Sequence, residues 1–133
     1  MGDTTAAAHV EIGERSIEVR VDVDGYHFWP QPTAHRRYLG ERHRHRFQVT
    51  VALAVLHNER EVEFHDLMDR TREVLRTIAT VDGAGVHDFG PSSCEHIAEA
   101  IAVGFAAEYE RPVRVTVSED GDASSSVTAD WRA

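Results

Sequence analysis

Two stretches of strict alternation decide most of what this chain is able to fold into. In the first, Ile17, Val19, Val21 and Val23 alternate with Glu18, Arg20, Asp22 and Asp24. In the second, His43, His45, Phe47, Val49, Val51 and Leu53 alternate with Arg44, Arg46, Gln48 and Thr50. Period two is the repeat of a strand with one face buried and the other in water. The first strand is read over 17–27 and the second from His43 to about Leu56. Between them, Phe28 to Arg42 holds two prolines and a glycine. Such a segment cannot continue a central strand, and a loop of this length usually has a function.

Further along, Phe64, Leu67, Met68, Thr71, Val74, Leu75 and Ile78 follow the i, i+3, i+4, i+7 spacing of an amphipathic helix. Val81 to Pro91 contains three glycines and breaks it. Ser92-Ser93-Cys94-Glu95 then reads as a capping box, with Ser92 as the cap and Glu95 reaching back. A second helix follows on Ile97, Ala98, Ile101, Ala102, Phe105 and Tyr109. After Pro112, Val113, Val115 and Val117 alternate with polar residues up to Glu119, and the turn Asp120-Gly121-Asp122 leads to a fourth strand over about 125–131. The order strand, strand, helix, helix, strand, strand predicts an α+β domain: an antiparallel four-stranded sheet with both helices on one face.

At 133 residues the expectation is one domain spanning 1–133, with the unpatterned residues 1–9 fraying. The net charge of -9 argues against nucleic acid and anionic membranes as partners, because phosphate affinity comes mainly from clustered positive charge. No run approaches the roughly 20 apolar residues of a membrane span, and no secretory leader pattern is present. The single cysteine agrees with a reducing compartment, so a cytoplasmic location is expected.

The nine histidines are informative by position. His43-Arg44-His45 opens the second strand, and period two puts both imidazoles on one face, close enough to share a metal. His27 and His35 are the candidates for a third ligand. Parity favours His27, which continues the odd, apolar face of the first strand. If the two strands pair antiparallel, it meets His43 and His45 at one sheet end. His35 sits in the proline-containing loop with nothing to fix its direction. Three neutral imidazoles with an open fourth position describe a catalytic rather than a structural zinc site.

Several short motifs then fall in a specific order: Gly25-Tyr26-His27, His43-Arg44-His45, Glu63-Phe64, Ser93-Cys94-Glu95 and Val115-Thr116-Val117-Ser118-Glu119. In that order, over about residues 17–127, the chain resembles the 6-pyruvoyltetrahydropterin synthase and 6-carboxytetrahydropterin synthase family. The resemblance implies a T-fold, whose subunits assemble into barrel-forming rings, commonly hexamers, so a homo-oligomer is expected. It also implies zinc held by His27, His43 and His45, and a pterin-like small molecule held by Glu119, with Glu95 as a second substrate-binding candidate, in a pocket at a subunit interface. The implied activity is that of a zinc-dependent lyase or cyclase acting on a reduced pterin or related heterocycle.

The chain departs from the family pattern in its acid/base set. The family places a catalytic cysteine four residues before the first His of His-x-His, and Leu39 stands there. The family's Leu-Asp-His between the helices is reduced to Val81-Asp82-Gly83, so Asp82 remains and its histidine is replaced by glycine. His87 and Cys94 are the candidate substitutes. Cys94 falls at the start of the second helix, where the helix dipole would lower its pKa and Glu95 would oppose that effect. Arginines 36, 37, 42, 44 and 46 form a basic cluster able to receive an anionic group, unless the acids of the first strand neutralise it. These departures leave two alternatives to the lyase: a diverged T-fold metalloprotein with another substrate, or a non-catalytic binding or assembly module.

Overall fold

The structure, a computed structural model, describes residues 9–132. Apart from His9, the segment expected to fray lies outside the described residues. The two alternating stretches form the long strands β1 (Arg15–His27) and β2 (His43–Val55). They pair antiparallel with His27 opposite His43 and Val21 opposite Val49. Odd residues therefore face odd residues, and both apolar faces lie on one side of the sheet. The next elements are helix α1 (Phe64–Ile78), short strands β3 (Thr80–Val81) and β4 (His87–Asp88), helix α2 (Cys94–Tyr109), and strands β5 (Val113–Glu119) and β6 (Ala123–Ala129). The sheet order is β3-β4-β1-β2-β5-β6.

Both helices cover the odd face. Leu67, Thr71 and Leu75 of α1, spaced by four residues, are buried, as are Ile97, Ala98, Ile101, Ala102 and Phe105 of α2. They share one core with Val19, Val21, Phe47, Val49, Val51, Leu53, Val113, Val115 and Val117. Each large apolar side chain in this layer contributes about 1.5–3 kcal/mol by leaving water. The even face carries the charged and small residues. There Asp24 engages Arg44 and Arg46, and Arg42 pairs with Asp88, so three members of the basic cluster are already neutralised. Among the described residues no helix is long and apolar enough to cross a membrane.

The four long strands are antiparallel as expected, yet the sheet has six strands rather than four. Two-residue strands carry no readable period, which hides β3 and β4 in the glycine-rich segment. β4 joins β1 in parallel at Gly25 and Tyr26, making the sheet mixed. Gly25 permits that approach: a Cβ there would lie 2.8 Å from the His87 carbonyl and 2.9 Å from the Phe47 ring. Asp82 holds the preceding turn, its Oδ1 accepting the Ala84 and Val86 N–H groups at 2.9 and 3.0 Å.

The cap of α2 also differs by one residue. Ser93, not Ser92, is the N-cap, accepting the His96 N–H at 3.1 Å. Glu95 therefore does not close a capping box and instead accepts the Ser125 hydroxyl at 2.7 Å. Glu63, read within the acidic-Phe motif, caps α1 by accepting the Asp66 N–H at 3.0 Å. In the long loop, Ala34–Gly40 winds into a 3-10 segment with no buried residue. The Trp29 N–H donates to the Leu39 carbonyl at 2.8 Å and folds that segment back on itself.

Candidate metal centre and adjoining pocket

The β1–β2 register brings His27, His43 and His45 to the sheet end where β1 finishes and β2 begins. One ring nitrogen from each lies within 4.8 Å of the other two. The rings meet edge-on, with centroids 4.6, 5.3 and 4.9 Å apart. Phe47, fully buried, props the cluster from below, 5.1 Å from His27 and 5.7 Å from His45. His35, on the exposed 3-10 segment, is not part of the cluster.

Each ring is held through Nδ1. His27 Nδ1 donates to the Ser92 carbonyl at 2.9 Å and His43 Nδ1 to the Glu41 carbonyl at 2.8 Å. His45 Nδ1 meets the Asp120 carboxylate at 2.6 Å. Carbonyl and carboxylate oxygens only accept, so each Nδ1 carries the proton and each Nε2 of the neutral ring is left with a lone pair. Nε2 of His27 and of His45 is buried without a hydrogen-bond partner. Buried polar atoms are almost always satisfied, so two orphans side by side mark a place for a cation. This donor set suits a borderline metal such as zinc.

Glu119 sharpens the point. Its Oε1 lies 3.0 Å from His27 Nε2 and its Oε2 3.6 Å from His45 Nε2, without the alignment of a hydrogen bond. A lone-pair nitrogen and a carboxylate oxygen repel at that distance unless a proton or a cation lies between them. With a proton in that gap, a hydrogen bond from His27 holds the Glu119 carboxyl below the ordinary carboxylate range, with His45 adding to the effect. For His27, burial disfavours the charged ring, but Glu119 and the Ser92 carbonyl outweigh it and raise its pKa.

A cavity of about 490 Å³ opens beside the cluster, with His27, His43, Leu39, Cys94, Glu95 and Glu119 in its wall together with Trp29 and serines of β6. Phe47 opposite Glu119 in the β2–β5 register places that carboxylate at the same sheet end. Cys94 points into this region and donates to Glu119 Oε1 at 3.4 Å. The expected dipole activation of its thiol is not found. Burial, followed by the Glu119 charge, pushes it up to about 12. Asp82 and His87 do not line the cavity: Asp82 is engaged in its own turn, and His87 is buried against Phe89 with its Nδ1 on the Gly85 carbonyl at 3.1 Å. Burial lowers the His87 pKa. The sequence reading missed Asp120, whose only visible signal was its place before Gly121 in a turn.

No protein-family model and no curated protein matches the sequence. Among solved structures, the chain is similar to 6-pyruvoyl tetrahydropterin synthase from Plasmodium vivax, with a TM-score of 0.57 at 16% identity over 87% of this chain and 99% of that one. A Plasmodium vivax variant whose catalytic glutamate is replaced by cysteine matches at a TM-score of 0.58 and 15% identity, over the same shares of both chains. An uncharacterised protein from Wolinella succinogenes matches at a TM-score of 0.55 and 10% identity, over 90% of this chain and all of that one. At such identities the likeness speaks for architecture. The chain is a divergent example of the T-fold seen in the 6-pyruvoyltetrahydropterin synthases.

Proposed function

We propose that this chain is a zinc-binding T-fold protein that takes a reduced pterin or related heterocycle into the cavity beside the histidine cluster. On this reading it acts as a lyase or cyclase of the 6-pyruvoyl or 6-carboxytetrahydropterin synthase type. The observation that carries the reading is the cluster itself: three imidazoles locked through Nδ1, with the unpartnered Nε2 atoms of His27 and His45 facing a carboxylate. His27, His43 and His45 would hold the ion. When bound, zinc supplies a Lewis acid for a substrate carbonyl or hydroxyl. Glu119, ionised at neutral pH, is suited to accept two N–H groups from a guanidine-like ring edge. Glu95, fixed by Ser125, offers a second acceptor on the same wall.

The acid/base step falls to carboxylates rather than to the thiol. With its pKa near 12, Cys94 keeps its proton at neutral pH. The Plasmodium vivax enzyme supports a carboxylate in this role, since its substituted catalytic residue is a glutamate.

A second reading, a T-fold metalloprotein with a different substrate or with none, is favoured by one observation. Leu39 occupies the cavity wall where the family resemblance places a thiol. The sheet edges support assembly on either reading. β6 and the Arg15–Asp24 part of β1 have no strand partner on their outer sides among the described residues. Because β1, β2, β5 and β6 alternate in direction, β6 of one copy can pair with β1 of the next in the same antiparallel sense and close a ring.

Elemental analysis of the purified protein tests the metal. About one zinc per chain is expected, lost in His43→Ala and His45→Ala and kept in His35→Ala. Mass spectrometry of products from dihydroneopterin triphosphate, with pterin-dependent thermal shifts, separates the two readings. Turnover supports the lyase, and no shift with any pterin removes it.

A further inference from the structure

We propose that Asp120 is the positioning residue of this centre: locked onto the β2 backbone, its carboxylate sets the orientation and tautomer of His45. The inference rests on the reading of the histidine cluster as a metal site.

Three contacts tie Asp120 to β2. Its own N–H donates to the Arg46 carbonyl at 2.9 Å, its Oδ1 accepts the Arg46 N–H at 2.8 Å, and its Oδ2 accepts His45 Nδ1–H at 2.6 Å. To reach them the residue adopts a φ of 54°, the left-handed region that aspartate tolerates better than most side chains. The carboxylate is not spent on its own turn, where the Asp122 N–H goes to the Glu119 carbonyl and the Gly121 N–H to the Ser118 hydroxyl. Nor is it an ion-pair partner for the Arg46 guanidinium, which engages Asp22 and Asp24 on the opposite face of the sheet. Among the described residues, His45 is the one side chain it serves.

The other two histidines donate to neutral main-chain carbonyls, whereas His45 donates to a charge. A carboxylate behind an imidazole fixes the metal-binding tautomer and the ring's orientation, and losing such a partner costs about 10–100-fold in metal affinity. The β5–β6 turn thereby holds a ligand it does not itself contribute.

Two variants isolate the effect. Asp120→Asn keeps an acceptor and tolerance of positive φ but removes the charge, while Asp120→Gly keeps the backbone conformation and removes the acceptor. Zinc affinity is read by competition with a chromophoric chelator, and the ligand field by the visible absorption of the Co²⁺-substituted protein. The expected result is a loss of about tenfold for Asp120→Asn and toward 100-fold for Asp120→Gly, with a shifted cobalt band in both. Circular dichroism of the metal-free proteins should match wild type. Wild-type zinc binding with both variants within twofold of it and an unchanged cobalt spectrum overturns the role of Asp120 while leaving the metal centre standing. A wild-type chain that takes up no zinc overturns the metal centre, and the role of Asp120 with it.

Discussion

Replacing Gly25 with alanine should damage the fold and the metal centre together. The added Cβ would meet the His87 carbonyl at 2.8 Å and Phe47 Cδ2 and Cε2 at 2.9 and 3.0 Å. Ordinary contacts begin about 0.5 Å further out. Neither neighbour is free to move: the carbonyl belongs to β4, paired with β1 at this residue, and Phe47 is fully buried among Phe89, His27 and His45. Overpacking of this kind costs about 1–3 kcal/mol. At this chain length, roughly 3–5 °C per kcal/mol converts that to a melting temperature about 3–15 °C lower. Gly104 supplies the control. It is exposed within α2 with nothing within 4 Å of a built Cβ, so Gly104→Ala should gain about 0.5–1 kcal/mol from helix propensity. Thermal unfolding by circular dichroism measures both, and zinc affinity by chelator competition should fall only for Gly25→Ala. A Gly25→Ala protein melting at or above wild type would refute the claim that this glycine exists to admit β4.

Ser93→Ala should cost about 1 kcal/mol through the lost cap of α2, with Ser92→Ala costing less; the reverse order in urea unfolding would restore Ser92 as the cap. In the metal-free protein, Cys94 should react with iodoacetamide at pH 8 about three orders of magnitude more slowly than an ordinary thiol, because a raised pKa leaves less thiolate. Its rate should rise about tenfold per pH unit until near 12, and alkylation at the rate of the denatured chain would contradict its burial beside Glu119. Sedimentation should find a ring-sized oligomer at micromolar concentration. A stable monomer that still binds zinc and a pterin would show that the open edges of β1 and β6 are tolerated rather than paired.

Period two carried much of the architecture in plain view. Because side chains alternate faces along a strand, Ile17 to Val23 and Phe47 to Leu53 declared their buried side without any partner being known. The same parity put His27 with His43 and His45, since a tight antiparallel pair with a loop between its ends must bring the end of one strand beside the start of the next. The helices were legible for an equivalent reason, their apolar stripes repeating near 3.6. What depends on pairing across the sheet was not legible. β3 and β4 are two residues each and exist only because Gly25 lets a backbone approach. Whether Ser92 or Ser93 caps α2 turns on a single hydrogen bond. The Cys94 thiol was placed at a helix start correctly, but its pKa follows burial and a carboxylate 25 residues away, which outweigh the local dipole. Asp120 read as a turn residue because its partner, His45, lies 75 positions earlier, and only the β2–β5 register brings the two within hydrogen-bonding distance. Local patterns report which face is buried, whereas the charges that tune a site arrive from distant chain, and their distance is set by tertiary packing.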